Sequence, residues 1–88
     1  MNDADVLREL IALAESAGLR VQAVPRAREG DAPVSSGVVR LRATLRVVLV
    51  SSDPVTERIG VLVAALRAHA SEFLETRHLP PALRARLE

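Results

Sequence analysis

Between Val38 and Val50 the chain alternates: Val39, Leu41, Ala43, Leu45, Val47 and Leu49 share one parity, and Arg40, Arg42, Thr44 and Arg46 share the other. Successive side chains of a strand point to opposite faces, so this period of two predicts a sheet with one apolar face and one face bearing guanidinium groups. The segment is longer than the usual strand of about five or six residues. It therefore reads as a hairpin folded around Arg42, Ala43 and Thr44 rather than as one long strand. A three-residue loop would pair Leu41 with Leu45 and Val39 with Val47, keeping the apolar residues together. Against it, no Gly or Asn supplies the positive φ that such loops use.

The period changes on either side. From Asp5 to Ala17, Val6, Leu7, Leu10, Ile11, Leu13 and Ala14 recur at helical spacing opposite Arg8, Glu9, Glu15 and Ser16, which predicts an amphipathic helix. Asn2 or Asp3 can cap its start, and Gly18 followed by Leu19 has the signature of a Schellman-type stop. Leu19, Val21 and Ala23 then alternate with Arg20 and Gln22 as a strand that Pro25 ends. Residues 26–37 are rich in Gly, Pro, Ser and charge and read as one flexible loop. Asp53 and Pro54 read as the cap and first residue of a helix whose seam is Val55, Ile59, Leu62, Leu66, His69 and Phe73 and which extends to about Thr76. Pro80 and Pro81 stop it, and a short last helix occupies 80–88.

These elements predict a single small α+β domain over 1–88. It has two layers, the order α-β-β-β-α-α, and an antiparallel three-stranded sheet covered on one face by helices. A chain of 88 residues buries roughly 60–65% of its unfolded surface. Its apolar residues are mostly Ala, Val and Leu, with Phe73 the sole aromatic. A core so poor in large anchors favours self-association as a means of burying more area.

The lack of Cys excludes disulfides, thiolate nucleophiles and Cys-based metal sites and suits a reducing cytoplasm. No basic leader opens the chain and no apolar run approaches the eighteen or so residues needed to span a bilayer, so neither secretion nor membrane insertion is expected. All 12 basic residues are Arg, and the net charge of +1 is too small to imply a polyanionic partner by itself. Local clustering is a separate matter: Arg20, Arg40, Arg42 and Arg46, with Arg26 and Arg28 from the loop, form a candidate anion or nucleic-acid face of bidentate donors. That face has no aromatics for base stacking, which favours a solvated or protein-facing surface.

No catalytic set emerges. His69 reads as a core histidine, and the pairs His69–Glu72 and Glu75–His78 fall short of a metal site. Ser35, Ser36, Ser51 and Ser52 stand in turn or cap contexts without a G-x-S-x-G elbow, as expected of turn formers. Neither G-x-G-x-x-G nor a Walker loop occurs. The reading requires no cofactor and no metal.

The order helix, strand beginning GLRV, variable loop, hairpin ending VVLVSSDP and helix carrying ERIGVLVAAL resembles the N-terminal half of the ImmA/IrrE group of zinc peptidases over about Gly18 to Ala70. In that family the helix carries H-E-x-x-H. Here the nearest equivalents are Val63, Ala64 and Arg67, none of which can bind zinc or act as the general base. The resemblance thus implies a peptidase-like scaffold without its active site. The chain is also similar to small bacterial proteins ending in a Leu-Pro-Pro segment.

The function expected is a non-enzymatic interaction domain, with a homodimer or another protein as partner. Contact would be made by an exposed strand edge or by the small-residue flank of the second long helix, Val61, Ala64, Ala65 and Ala68. The alternative is phosphate or nucleic-acid binding through the Arg face.

Overall fold

The first helix, α1 (Asp3–Ser16), begins as its sequence directs: the Asn2 side chain accepts the Asp5 N–H at 2.8 Å, and Asp3 and Asp5 sit at the positive end of the helix dipole. It also stops as expected. Gly18 takes φ +92°, its N–H donates to the Glu15 carbonyl, and the Leu19 N–H donates to the Ala14 carbonyl, both at 3.0 Å. These two bonds complete a Schellman motif, with Leu19 buried as its hydrophobic contact.

The computed structural model describes residues 2–25, 36–42 and 44–88. It contains strands β1 (Arg20–Val24), β2 (Gly37–Leu41) and β3 (Thr44–Val50), then helices α2 (Val55–His69), α3 (Ser71–Thr76) and α4 (Pro81–Leu87). The expected loop at 26–37 lies outside the described residues except for Ser36 and Gly37, and Gly37 already belongs to β2.

The fold is α+β, as expected, but the sheet is mixed rather than antiparallel. The strand order is β1-β3-β2, with β2 antiparallel and β1 parallel to the central β3. Alternation reveals which side chains share a face; it says nothing about which strand lies alongside. Residues 25–43 separate β1 from β3, enough for the crossover of a dozen or more residues that parallel neighbours require.

Helices α1 and α2 cover one sheet face, and α3 and α4 pack on the helices. Val47 and Leu49 of β3 pack against Val6, Leu10 and Ala14 of α1 and Ile59, Leu62 and Leu66 of α2 in one buried cluster, which Leu83 and Leu87 of α4 extend. Arg86 of α4 reaches Asp3 of α1 at 2.8 Å. Both are substantially exposed, so this link contributes at most about 1 kcal/mol.

Two boundaries differ from expectation. The single helix expected to reach Thr76 breaks at Ala70 (φ −139°, ψ 27°), a buried residue with neither Gly nor Pro beside it. This break leaves His69 exposed instead of on the buried seam. At the other end of α2, Pro54 is the cap residue and no side chain caps the helix. The Asp53 carboxylate instead accepts the Ser36 hydroxyl at 2.7 Å and the Ser36 N–H at 3.2 Å, while Ser36 Oγ accepts the Val50 N–H at 2.9 Å. The start of β2 is thereby tied to the turn between β3 and α2.

Two variants test these local anchors. Gly18→Ala should lower stability by about 1 kcal/mol, because a Cβ there meets nothing within 4 Å and the cost is backbone strain alone; an unchanged urea midpoint would contradict this. Ser36→Ala should cost about 1–3 kcal/mol by stranding the Val50 N–H and the Asp53 carboxylate in a part-buried site. A loss within the scatter of surface substitutions would show that the link carries no load.

Candidate interaction surface

β2 is an edge strand, and among the described residues no strand pairs with its outer side. It carries the two large hydrophobic side chains that are exposed among the described residues, Val38 at 40% and Val39 at 44%. Natural sheets usually protect such edges with Lys, Pro, bulges or a covering element.

The register of β2 determines which way each valine faces. Leu41 pairs with Thr44, Arg40 with Leu45, Val39 with Arg46 and Val38 with Val47. The pairing of Leu41 with Thr44 makes the connection one residue shorter than the expected three, and Arg42 adopts φ 57°, the left-handed conformation that two-residue hairpin turns use. Relative to the expected pairing, the strand slips by one residue, which moves the side chains of Val38, Val39 and Arg40 to the opposite face. Val39 consequently joins the outer face of the sheet, while Val38 and Arg40 share the helix-facing side with Val47 and Leu45.

The expected arginine face divides accordingly. Arg20 and Arg46 are direct neighbours on the outer face, and Arg46 Nη1 donates to Gln22 Oε1 at 3.0 Å. They border an open hollow of about 620 Å³ that Glu15, Gly18 and Gln22 also line. Arg40 lies on the other face, and Arg42 occupies the hairpin turn. What the four share is an end of the sheet, the one nearest the hairpin turn. Arg26 and Arg28 fall outside the described residues.

The opposite end of β2 is acidic. Ser36 and Asp53 line a groove of about 400 Å³ together with Glu57, Gly60, Val61 and Ala64 of α2. Glu57, Val61, Ala64 and Ala68 recur at i, i+4, i+7 and i+11 and so occupy one side of the helix. Val61 is half-buried, and Ala64 and Ala68 are exposed. Ala65 does not belong with them: it is 2% exposed and sits in the core cluster, where its small side chain faces the helical layer. Glu57 and Gly60 lie outside the flank expected from the sequence, although Glu57 stands one helical turn before Val61 and shares its side.

The remaining candidates do not converge. His69 and His78 are both exposed, and among the described residues no group of three His, Asp or Glu side chains is placed to hold a metal ion. Val63 is half-buried, and Ala64 and Arg67 are exposed. No helix among the described residues is long and apolar enough to cross a membrane. Comparison of the chain with protein-family models, with curated proteins and with solved structures yields no match to any of them.

Proposed function

We propose that this chain is a non-enzymatic protein-interaction domain that self-associates through the open edge of β2. One observation carries the reading: the exposed Val38 and Val39 are adjacent on a strand whose outer edge no described element covers. An added strand would satisfy the main-chain groups of that edge and cover both valines at once. The small core gives the chain reason to gain area in this way.

The non-enzymatic part of the reading rests on residue chemistry. Ser36 Oγ donates to the Asp53 carboxylate and accepts the Val50 N–H, so both of its bonds tie β2 to the turn before α2. In the helix that resembles the zinc-peptidase segment, Val63, Ala64 and Arg67 offer no ligand and no general base. A sequence without Cys suits work in a reducing cytoplasm.

A second reading, anion or nucleic-acid binding, is favoured by one specific feature. Arg20 and Arg46 stand opposite each other on neighbouring strands, an arrangement of like charges that is destabilising unless compensated, and neither is in an ion pair among the described residues. This reading expects a labelled oligonucleotide to bind with steep salt dependence and to be released by Arg20→Gln/Arg46→Gln. Undiminished binding by that variant would remove it.

The primary reading is tested by Val39→Lys, which places a charge at an exposed position. Sedimentation should show the wild type associating at high micromolar concentration and the variant monomeric, with stability changed by no more than about 0.5 kcal/mol. Equal association of the two proteins would refute an interface at β2.

A further inference from the structure

Resting on that reading, we infer that the partner at the β2 edge is a second copy of this chain, paired antiparallel about a two-fold axis at Val39, with Arg40 of each copy seated against Glu57 and Asp53 of the other. The inference rests on the distribution of charge along the edge. At the end of β2 are Arg40 and, in the turn, Arg42. Beside its beginning is the groove that Ser36, Asp53 and Glu57 line. One end of the same strand is basic and the other acidic.

A self-complementary edge of this kind selects an orientation. Parallel pairing of two β2 strands would place arginines beside arginines and carboxylates beside carboxylates. Antiparallel pairing about a two-fold axis places each basic end beside the acidic end of the other copy, twice over, as an isologous interface requires. Among the described residues Arg40 and Glu57 are in no ion pair within the chain, so both are available.

The side-chain parity agrees. With Val39 opposite Val39 of the second copy, Val38 faces Arg40 of that copy, because opposite residues of an antiparallel pair share a face. Val38 lies on the helix-facing side, in line with Val47. The incoming Arg40 therefore arrives on the side of the sheet that α2 covers, beside its groove. Val61 and Ala64 line that groove with small apolar side chains, which leaves room for the aliphatic stem of an arginine. The groove is completed only by the other copy.

The ladder also fixes the main chain. A two-residue hairpin closes on a hydrogen-bonded pair at Leu41 and Thr44, and alternation then directs the main-chain groups of Val38 and Arg40 to the open edge. Across the two-fold axis these two residues exchange hydrogen bonds, and the two Val39 residues form the close, non-hydrogen-bonded pair, with Cα atoms about 4.5 Å apart. That separation falls within the range of about 4.4–6.8 Å that a disulfide spans.

The experiment exploits the absence of native Cys. Val39→Cys in the full chain should form a disulfide-linked dimer under mild oxidation, whereas Thr56→Cys, exposed on α2, should not. Arg40→Glu and Glu57→Arg should each weaken association by about tenfold, since each breaks two symmetry-related pairs, and a 1:1 mixture of the two variants should recover it because both contacts are re-formed across the heterodimer. If association persists and Val39→Lys abolishes it, yet Val39→Cys does not cross-link and the mixture recovers nothing, the antiparallel pairing is overturned and the β2 interface survives. A wild type that remains monomeric into the millimolar range overturns both.

Discussion

The length of the loop between β2 and β3 decides which side chains of β2 meet the helices and which meet solvent. Because the side-chain period of a strand is two, a loop one residue longer would exchange the two faces of β2 completely. The turn at Arg42, with Leu41 paired to Thr44, sets Val38 and Arg40 on the helix-facing side and Val39 on the outer side. The Ser36–Asp53 contact holds the other end of the same strand in register with β3. With both ends fixed, β2 presents an edge that is basic at the turn, acidic at the groove and aliphatic between.

The core does not depend on β2 in the same way. Its buried cluster comes from α1, α2, α4 and the central strand β3, with Leu19, Ala70 and Leu79, and Val38, Val39 and Arg40 of β2 lie outside it. A small domain can therefore keep an exposed edge strand without losing its interior. The same division explains how Val38 and Val39 remain in contact with solvent in a chain that is otherwise short of apolar area to bury.

The legible parts of the fold are those with local signals. Asn2, Gly18 and Leu19 specify the ends of α1 through bonds made within a few residues, and they are found in those roles. The apolar parity of Leu45, Val47 and Leu49 identifies the inner face of β3. Non-local choices left no such mark. Nothing in the alternation of Leu19, Val21 and Ala23 says that β1 lies parallel to β3, and Asp53 reads as a helix cap until Ser36, distant in sequence, competes for its carboxylate. Arg42 carries no sign of its positive φ. That gap misplaced Arg40 among the outer arginines. The breadth of the small-residue flank groups Ala65 with Val61 and Ala68, whereas the packing of α2 turns it inward.

Cross-strand proton contacts in the NMR spectrum test the register directly. The close, non-hydrogen-bonded pairs of a two-residue hairpin should give Hα–Hα contacts between Arg40 and Leu45 and between Val38 and Val47. Contacts from Arg40 to Arg46 and from Val38 to Val48 in their place would mean a three-residue loop closed by Leu41 and Leu45. Val39 would then face the helices, and the edge described here would not exist.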